Sequence, residues 1–476
     1  MARQYLIISD LHMADVEDHA DGWKAYKSSR FLFDDDFRDL LMDFVSRREQ
    51  GDEKSELVLL LNGDVFDFDL VCAVPDDAPW KVYRSEYRTG LDATEEKSIW
   101  KLERILANHG VFVSSLVDFL SAGHRLVYVM GNHDREFHFP GVQKAFLHAL
   151  HTDAANRNLS FEDSQLLFEP WFFYEPGELY AEHGQQYDHY TSFRNVLDPT
   201  VQMHGNKTIA LPMGNLSNRT LMPKMGFFNP HASDYILNMF SYAWHWMKYY
   251  AFSRRSLAWN WFWGSLLVLF RLLSVRKKQV YWGQAIKIHE GVIEYARLKG
   301  LDEHAVIALW QLQNPPITGR LFRIIREFWI DRVVISLLMV GGTVALALVP
   351  IPLWIKLVVP LMGFPLVYLF YEWAVQGESI FTIETRLPKV AGAIARILPA
   401  RVVTFGHTHQ PRLLPLGRHC SFVDTGTWAP ITKPNDPLNL VAGLRNYLIA
   451  DFSKERPCVQ LGSWMLIKDK QEGGAK

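Results

Sequence analysis

Short apolar runs alternate with a helical pattern along the first 130 residues of the chain. Leu6 to Ile8, Leu57 to Leu61 and Leu126 to Met130 are uninterrupted apolar runs of strand length, and a polar loop follows each of them. Between the first two runs, apolar residues from Phe37 to Val45 recur at the spacing of an amphipathic helix. Strands that alternate with helices predict an α/β fold.

Strand patterns return close to the C-terminal end of the chain. Val402 to Phe405 and Tyr447 to Ala450 have the composition of buried strands, whereas the long stretch before them is mostly helical in pattern and rich in aromatic residues. We therefore predict one α/β domain formed by residues 1–184 together with residues 401–476. Residues 185–400 are predicted to be a helical insertion into this domain or a cap over it.

Composition narrows the class of protein without identifying it. The 476 residues are 49% hydrophobic, and the formal net charge is only −2, so no global field favours nucleic acid or an anionic surface. Cys72, Cys420 and Cys458 form neither a disulfide framework nor a CxxC metal pair, which fits a reducing compartment. Because a buried strand already begins at Gln4, no N-terminal signal sequence is expected, and we expect the α/β domain in the cytoplasm.

Polar motifs rich in Asp, His and Asn follow the predicted strands. In chain order they are Ser9-Asp10-Leu11-His12, Asn62-Gly63-Asp64-Val65-Phe66-Asp67, Gly131-Asn132-His133-Asp134, His183-Gly184 and Gly406-His407-Thr408-His409. Loops at strand ends meet at one edge of an α/β sheet, where such folds bind ligands. On extended backbone, a D-x-H or H-x-H pair would direct both side chains to the same side.

These residue types match the needs of phosphoester hydrolysis. The reaction requires that the phosphoryl oxygens be neutralised and that water act as a nucleophile at neutral pH, and two divalent cations about 3.5–4 Å apart do both. Such a centre takes a bridging carboxylate together with imidazole, amide and carboxylate ligands. Any one of the motifs alone would also fit a turn or a helix cap, but all of them together indicate a metal centre.

The motifs resemble, in order and spacing, the signature of the calcineurin-like metallophosphoesterase superfamily: DxH, GDxxD, GNHD, a His before Gly, and GHTH. The resemblance covers residues 10–409. It implies a metal-dependent phosphoesterase that cuts a phosphoric ester or a pyrophosphate. It also implies a four-layer αββα sandwich, which would carry here a large, mostly helical insertion with an apolar hairpin.

The resemblance assigns a ligand to each position of a two-metal centre. One ion would be held by Asp10, His12 and His409 and the other by Asn132, His183 and His407, with Asp64 bridging the two. Mn²⁺ is the preferred metal, with Fe or Zn²⁺ as alternatives.

Residues beside these ligands receive supporting roles. By the same resemblance, His133 would be the acid that protonates the leaving oxygen, oriented by Asp134 or a neighbouring carboxylate. Asp67 is interpreted as a support for a ligand. Arg135 could contact a substrate phosphate or form a structural ion pair. His189 could line the site or be a buried histidine with no role in it.

Two long apolar segments lie inside the predicted insertion. Val333 to Val349 carries no charge, Pro350-Ile351-Pro352 interrupts it, and Leu353 to Tyr371 contains only the charge of Lys356. A membrane span needs roughly 17–25 apolar residues. We therefore predict a helical hairpin over residues 333–371 that associates with the membrane, with both ends on the cytosolic side. The alternatives are a hairpin that dips into one leaflet and a buried helical cap.

A second segment, Tyr235 to Trp282, combines tryptophan with basic residues. This composition is typical of a segment that lies in the lipid interface, although a helical cap with an aromatic core would also produce it.

The sequence thus favours a two-metal phosphoester hydrolase that acts by metal-activated water on a lipid-linked phosphate or pyrophosphate. It is similar in part to the UDP-2,3-diacylglucosamine hydrolases, which typically carry Arg at the position of His133 and Asp at that of Gln185. The expected location is the inner face of the cell membrane. The alternative is a soluble protein phosphatase or nucleotide phosphodiesterase with a regulatory cap. A non-catalytic scaffold fits the intact ligand set poorly, and no long basic stripe indicates a nucleic-acid partner.

Overall fold

The computed structural model describes residues 3–16, 32–49, 56–220, 257–279, 284–328, 330–374, 383–433, 436–453 and 457–467. They form a mixed α/β fold, which confirms the predicted class. The strands are β1 (Arg3–Ile8), β2 (Glu56–Asn62), β3 (Arg125–Val129), β4 (Leu166–Glu169), β5 (Phe172–Glu175), β6 (Leu179–Glu182), β7 (Thr200–Met203), β8 (Asn206–Ile209), β9 (Val402–Phe405), β10 (Arg412–Pro415), β11 (Ser421–Asp424), β12 (Ile431–Lys433), β13 (Asp436–Val441), β14 (Asn446–Asp451) and β15 (Cys458–Ser463). The helices are α1 (Asp34–Glu49), α2 (Glu86–Thr89), α3 (Glu95–Asn108), α4 (Gly110–Ser121), α5 (Pro140–Asn156), α6 (Met213–Thr220), α7 (Leu257–Gln279), α8 (Gln284–Leu298), α9 (Glu303–Leu312), α10 (Leu321–Glu327), α11 (Ile330–Leu348), α12 (Leu353–Ala374) and α13 (Ile383–Ile397).

Two larger sheets carry the fold. One has six strands in the order β15-β14-β1-β2-β3-β4, in which β1 to β4 run parallel and β14 is antiparallel to β1. The other has five strands in the order β10-β11-β9-β6-β5, in which β6, β9 and β11 run parallel. The apolar runs predicted as strands are β1, β2 and β3, and their nearly continuous burial is typical of parallel strands covered on both faces.

The side chains of each strand alternate between two cores. On β1, Leu6 and Ile8 pack in a cluster with α1, α3, α4 and α5, whereas Tyr5 and Ile7 pack in another. This second cluster also contains apolar residues of the five-stranded sheet, such as Val402. The two sheets therefore face each other across a shared apolar core.

The outer face of the five-stranded sheet is also covered by helices. Val403 and Phe405 of β9 pack in a third cluster with Val292 of α8, Val306 of α9 and Ile394 of α13. These helices belong to the stretch predicted as an insertion. Part of that stretch is thus built directly onto the sheet, and the predicted domain boundaries stay a prediction.

The apolar hairpin lies where the sequence predicts it. Helices α11 and α12 are each long and apolar enough to cross a membrane, and their most apolar stretches are not buried against the rest of the protein. Leu348 and Leu361, for example, are 82% and 73% exposed. Association with a membrane stays a prediction. Of the tryptophan-rich segment, only the part within α7 lies inside the described residues.

Candidate metal centre

The predicted ligands follow the C-terminal ends of strands from both sheets. In the six-stranded sheet, Asp10 and His12 follow β1, Asp64 follows β2, and Asn132 follows β3. In the five-stranded sheet, His183 follows β6, while His407 and His409 follow β9. Because the two sheets face each other, the loops at these strand ends can bring their polar side chains together.

The backbone of the ligand loops differs from the expectation of extended strand ends. A left-handed backbone, with φ between 50° and 72°, is found at Asp10, His12, Asp64, His407 and His409. The extended geometry assumed for the D-x-H and H-x-H pairs is therefore wrong. Hydrogen bonds between the motif loops hold this backbone: the amide of Asp10 donates to Gly63 O at 3.1 Å and that of His12 to Asp64 O at 2.9 Å. Such conformations cost about 1–3 kcal/mol each and are typical of functional sites.

Asp10, His12 and His409 form one group that could hold a metal ion. The Nε2 atoms of His12 and His409 lie 3.1 Å apart, and His409 Nε2 is 3.2 Å from Asp10 Oδ1. His12 Nε2 lies 3.8 Å from the same oxygen. Two imidazole nitrogens and a buried carboxylate thus converge on one point, which is the donor set that a divalent transition-metal ion prefers.

Asp64, His183 and His407 form a second group that could hold a metal ion. Asp64 Oδ2 lies 3.0 Å from His183 Nε2 and 4.0 Å from His12 Nε2 in the first group. His183 Nε2 in turn lies 3.9 Å from Asp10 Oδ1. The two groups are therefore neighbours, and the Asp64 carboxylate stands between them.

Asn132 contributes an oxygen with no protein donor. Its Nδ2 donates to Asn215 Oδ1 at 3.3 Å, and among the described residues nothing donates to its buried Oδ1. A buried acceptor without a donor costs free energy, and a bound cation would remove that cost. The side chains present therefore fit a metal ion, as predicted, whereas neither the identity of the metal nor the number of ions follows from them.

The aspartates and histidines of the centre shift one another's pKa. Burial alone would raise the pKa of Asp10, but the nearby His183, His12 and His409 outweigh it and hold that pKa well below its ordinary value. Asp64 behaves in the same way beside His183 and His133. Burial disfavours the charged form of His183, yet Asp64 and Asp10 raise its pKa to about 10. The carboxylates of these two predicted ligands are thus held ionised, as metal binding requires, whereas His183 would have to lose its proton to bind a metal.

His133 is oriented by two aspartates. Its Nδ1 lies 3.3 Å from Oδ2 of both Asp67 and Asp69. Asp67 Oδ2 also lies 3.2 Å from Nδ1 of His12, so the same carboxylate supports a predicted ligand. Despite burial, Asp67 and Asp64 raise the pKa of His133 well above its ordinary value. His133 is therefore placed to carry a proton.

Asp134 has a different role from the one predicted. Its carboxylate accepts hydrogen bonds from the amide of Val65 at 2.8 Å, the amide of Gly131 at 2.6 Å and the hydroxyl of Tyr128 at 2.6 Å. It thus joins two motif loops. The carboxylates that orient His133 are those of Asp67 and Asp69. Of the two alternatives predicted for the orienting carboxylate, Asp134 is not found beside His133, because its oxygens accept from the loop backbone and from Tyr128, whereas the neighbouring carboxylates of Asp67 and Asp69 are.

Arg135 and His189, the two residues predicted as substrate contacts, are both buried. Arg135 is fully buried, donates to the carbonyl of Val196 and lies over the ring of Phe193, and its Nε and Nη1 have no hydrogen-bond partner among the described residues. His189 is also buried, and it lines a small cavity with Met213 and other residues of the insertion. Neither residue belongs to the groups that could hold a metal.

Several residues at the site were not predicted from the sequence motifs. Asp188 Oδ2 and Thr191 Oγ1 lie 3.4 and 3.1 Å from His407 Nε2. Asn215 of α6 donates to Asp69 Oδ2 at 2.7 Å and to the carbonyl of Asn132 at 3.0 Å. Asp69 follows Asp67 at a spacing of two, which was the one local signal available. The other residues belong to the stretch predicted as an insertion and form no motif.

No family model matches the chain, and no curated protein matches it. The chemistry of the centre must therefore be inferred from its own residues.

Proposed function

We propose that this protein is a two-metal phosphoester hydrolase of the calcineurin-like metallophosphoesterase type. The observation that carries the proposal is the presence, among the three groups of described residues that could hold a metal ion, of two neighbouring and largely buried ones: Asp10 with His12 and His409, and Asp64 with His183 and His407. Asp64 stands between them, within 4.0 Å of a histidine in each. The two facing sheets, with helices on both outer faces, support the four-layer αββα sandwich that this family implies.

The predicted ligands would hold two ions, Mn²⁺ first, with Fe or Zn²⁺ as alternatives. The ligands of one ion would be Asp10, His12 and His409 and those of the other Asn132, His183 and His407, with Asp64 shared. Bound divalent cations supply charge neutralisation for phosphoryl oxygens and lower the pKa of water.

His133 provides the acid. Asp67 and Asp69 face its Nδ1, so its Nε2 is directed away from those carboxylates and is the atom that would approach the leaving oxygen. The same carboxylates stabilise the protonated imidazole, so the proton is available where the leaving group needs it.

The experiment uses full-length protein purified in detergent, freed of metal by chelation and reconstituted with Mn²⁺, Fe²⁺ or Zn²⁺. Hydrolysis of p-nitrophenyl phosphate and bis-p-nitrophenyl phosphate should depend on the metal, with about two ions bound per chain. Asp64→Ala should lose both activity and metal, because two cations would face each other without a shared anion. Asp77→Ala, at an exposed aspartate, is the control. An Asp64→Ala variant that still binds two ions would contradict the ligand assignment.

We further propose that the substrate is a membrane-lipid phosphate or pyrophosphate. Apolar side chains are exposed along α11 and α12, and at about 25 cal/mol per Å² such surface favours lipid over water strongly. The base of the hairpin adjoins the site: the Tyr190 hydroxyl donates to Glu327 of α10 at 2.7 Å. Tyr190 is next to Thr191, which contacts His407. A hairpin in the membrane would therefore hold the site close to the lipid surface.

Membrane fractionation tests this second part. Full-length protein should sediment with membranes and resist extraction with high salt, because salt screens charges without weakening apolar burial. Replacement of residues 333–371 by a short Gly/Ser linker should weaken retention. It should spare hydrolysis of p-nitrophenyl phosphate and sharply reduce hydrolysis of phosphatidic acid or UDP-diacylglucosamine in vesicles. Full-length protein that is monodisperse without detergent would support the soluble alternative with a regulatory cap.

A further inference from the structure

Helix α6 is brought to the metal centre from the part of the chain predicted as an insertion. Its buried Arg219 donates from Nε to Thr89 O at 2.7 Å and from Nη2 to Gly90 O at 2.9 Å. Leu216 packs in the cluster that covers the six-stranded sheet. Together with the hydrogen bonds of Asn215 to Asp69 and Asn132, these contacts fix the helix firmly against the site.

Asn218 lies on the same helix and faces the catalytic acid. Its Nδ2 is 3.4 Å from Nε2 of His133, and its side chain is only half-buried. Within the described part of the chain this long contact is the one polar contact found for the Asn218 side chain, and it is no hydrogen bond when Nε2 of His133 carries a proton, because both nitrogens are then donors. An amide can take part in about four hydrogen bonds. Asn218 therefore has capacity for a ligand, at the atom of His133 that must meet the leaving group.

The spacing of these two nitrogens suits a phosphoryl group. Because Asp67 and Asp69 face Nδ1 of His133, its Nε2 is directed away from those carboxylates. Two nitrogens 3.4 Å apart can both contact oxygens of one tetrahedral phosphate. Asn215 and Arg219 of the same helix are buried and hydrogen-bonded to protein atoms, so they are not available to a ligand in this way.

We infer that Asn218 is a substrate-binding residue whose amide group donates a hydrogen bond to a phosphoryl oxygen beside His133. The inference rests on the proposed phosphoester hydrolase function. The ligand it assigns to α6 is the phosphate itself, so this part of the site recognises any substrate that presents a phosphoryl group. The motifs that follow the strands would then hold the metals, while α6 binds the phosphate through Asn218.

The experiment compares Asn218→Ala and Asn218→Asp with wild type, as full-length Mn²⁺-reconstituted protein in detergent. Asn206→Ala, at an exposed asparagine of the β7–β8 hairpin, is the matched control. Inorganic phosphate is the probe, followed by calorimetric titration and by inhibition of p-nitrophenyl phosphate hydrolysis. Asn218→Ala should weaken phosphate binding and raise KM by about tenfold or more, the usual value of a hydrogen bond to a charged group. Asn218→Asp should weaken phosphate binding further and raise KM further, because its carboxylate would face the anionic phosphate. The metal content and thermal midpoint should not change.

The possible results separate the inference from the proposed function. Asn218→Ala that binds phosphate as wild type does would overturn the inference and leave the hydrolase standing. So would an Asn218→Ala variant that loses metal or melts earlier, since it would make the residue structural. Wild-type protein that binds metal but neither binds phosphate nor hydrolyses any ester would overturn the proposed function itself. If the Asn218 variants lose phosphate affinity while their metal content, their thermal midpoint and the Asn206→Ala control stay unchanged, the result supports both the inference and the proposed function.

Discussion

Asn132 and Asn215 hold each other through two hydrogen bonds: Asn132 Nδ2 donates to Asn215 Oδ1 at 3.3 Å, and Asn215 Nδ2 donates to Asn132 O at 3.0 Å. The first bond fixes which end of the Asn132 amide is the oxygen. That oxygen, Oδ1, is the one left without a protein donor among the described residues. Asn215 thus orients the side chain of Asn132, the proposed metal ligand.

Asn215→Ala should weaken metal binding by about 10–100-fold, the usual effect of removing a partner that orients a ligand. The measurement is a Mn²⁺ titration of metal-free protein. Ser217→Ala, on the same helix and half-buried, is the control. Asn215→Asp keeps an acceptor for Asn132 but faces the carboxylate of Asp69, so it should also bind metal more weakly than wild type. Unchanged affinity in Asn215→Ala would show that Asn132 needs no such support.

His133→Ala should keep its metals and lose activity by about 10²–10⁴-fold on esters with poor leaving groups, because general acid catalysis contributes this much. The loss should be smaller for p-nitrophenyl phosphate, whose leaving group needs little protonation. The measurement is kcat across a series of aryl and alkyl phosphates, with metal content measured in parallel. His138→Ala, near Asp198 and outside the metal groups, is the control. An equal loss for every leaving group would indicate phosphate binding rather than proton donation.

Gly63→Ala should destabilise the protein and its metal centre together. Gly63 has φ +83°, and a Cβ there would lie 2.5 Å from the ring of His183. Gly123→Ala is a matched control, since Gly123 has φ +85° and open space around it. Gly123→Ala should lower the free energy of unfolding only by the backbone strain, about 1–2 kcal/mol. Gly63→Ala should lower it by about 1–3 kcal/mol more, because of the clash with His183. Thermal midpoints and Mn²⁺ affinity measure the difference; equal midpoints and affinities would contradict the close approach of Gly63 to His183.

Glu136→Gln should change stability in a way that depends on pH. Burial, together with Asp69, raises the pKa of Glu136 from 4.5 to about 8. The folded state therefore binds a proton that the unfolded state has released, and wild type loses stability as pH rises from about 4.5 to about 8. Glutamine does not titrate, so the variant should melt progressively later relative to wild type across this window. A difference of several degrees is expected, at about 2–4 °C per kcal/mol.

Thermal midpoints at pH 5 and pH 8 check this expectation, with Glu96→Gln at an exposed position as the control. The nearby Lys101 does not confuse the result below pH 8. Burial lowers its pKa from 10.5 to about 8, so its titration changes the stability only above about pH 8, where it raises stability as pH rises. A constant difference between Glu136→Gln and wild type at both pH values would show that Glu136 is not held protonated.

The sequence by itself determined the elements whose signals are local. A run such as Leu57 to Leu61 predicts a buried strand wherever it lies, and the polar residues that follow it must sit at the strand end. This is why Asp10, Asp64 and His183 could be expected close together before any contact was known, while the resemblance supplied their roles as ligands. Helices α11 and α12 were equally predictable, because length and apolarity need no partner to be recognised.

Only the tertiary structure decided the geometry around those ligands. The left-handed backbone at Asp10 and His407 depends on bonds between distant loops, so it could not be read from the spacing of the motif. The role of Asp134 depends on which neighbours its oxygens meet. Asn215 reaches Asn132 across 83 residues of sequence, and no pattern marks it beforehand. Local periodicity reports what one segment prefers, whereas these roles arise from how separate segments pack against one another.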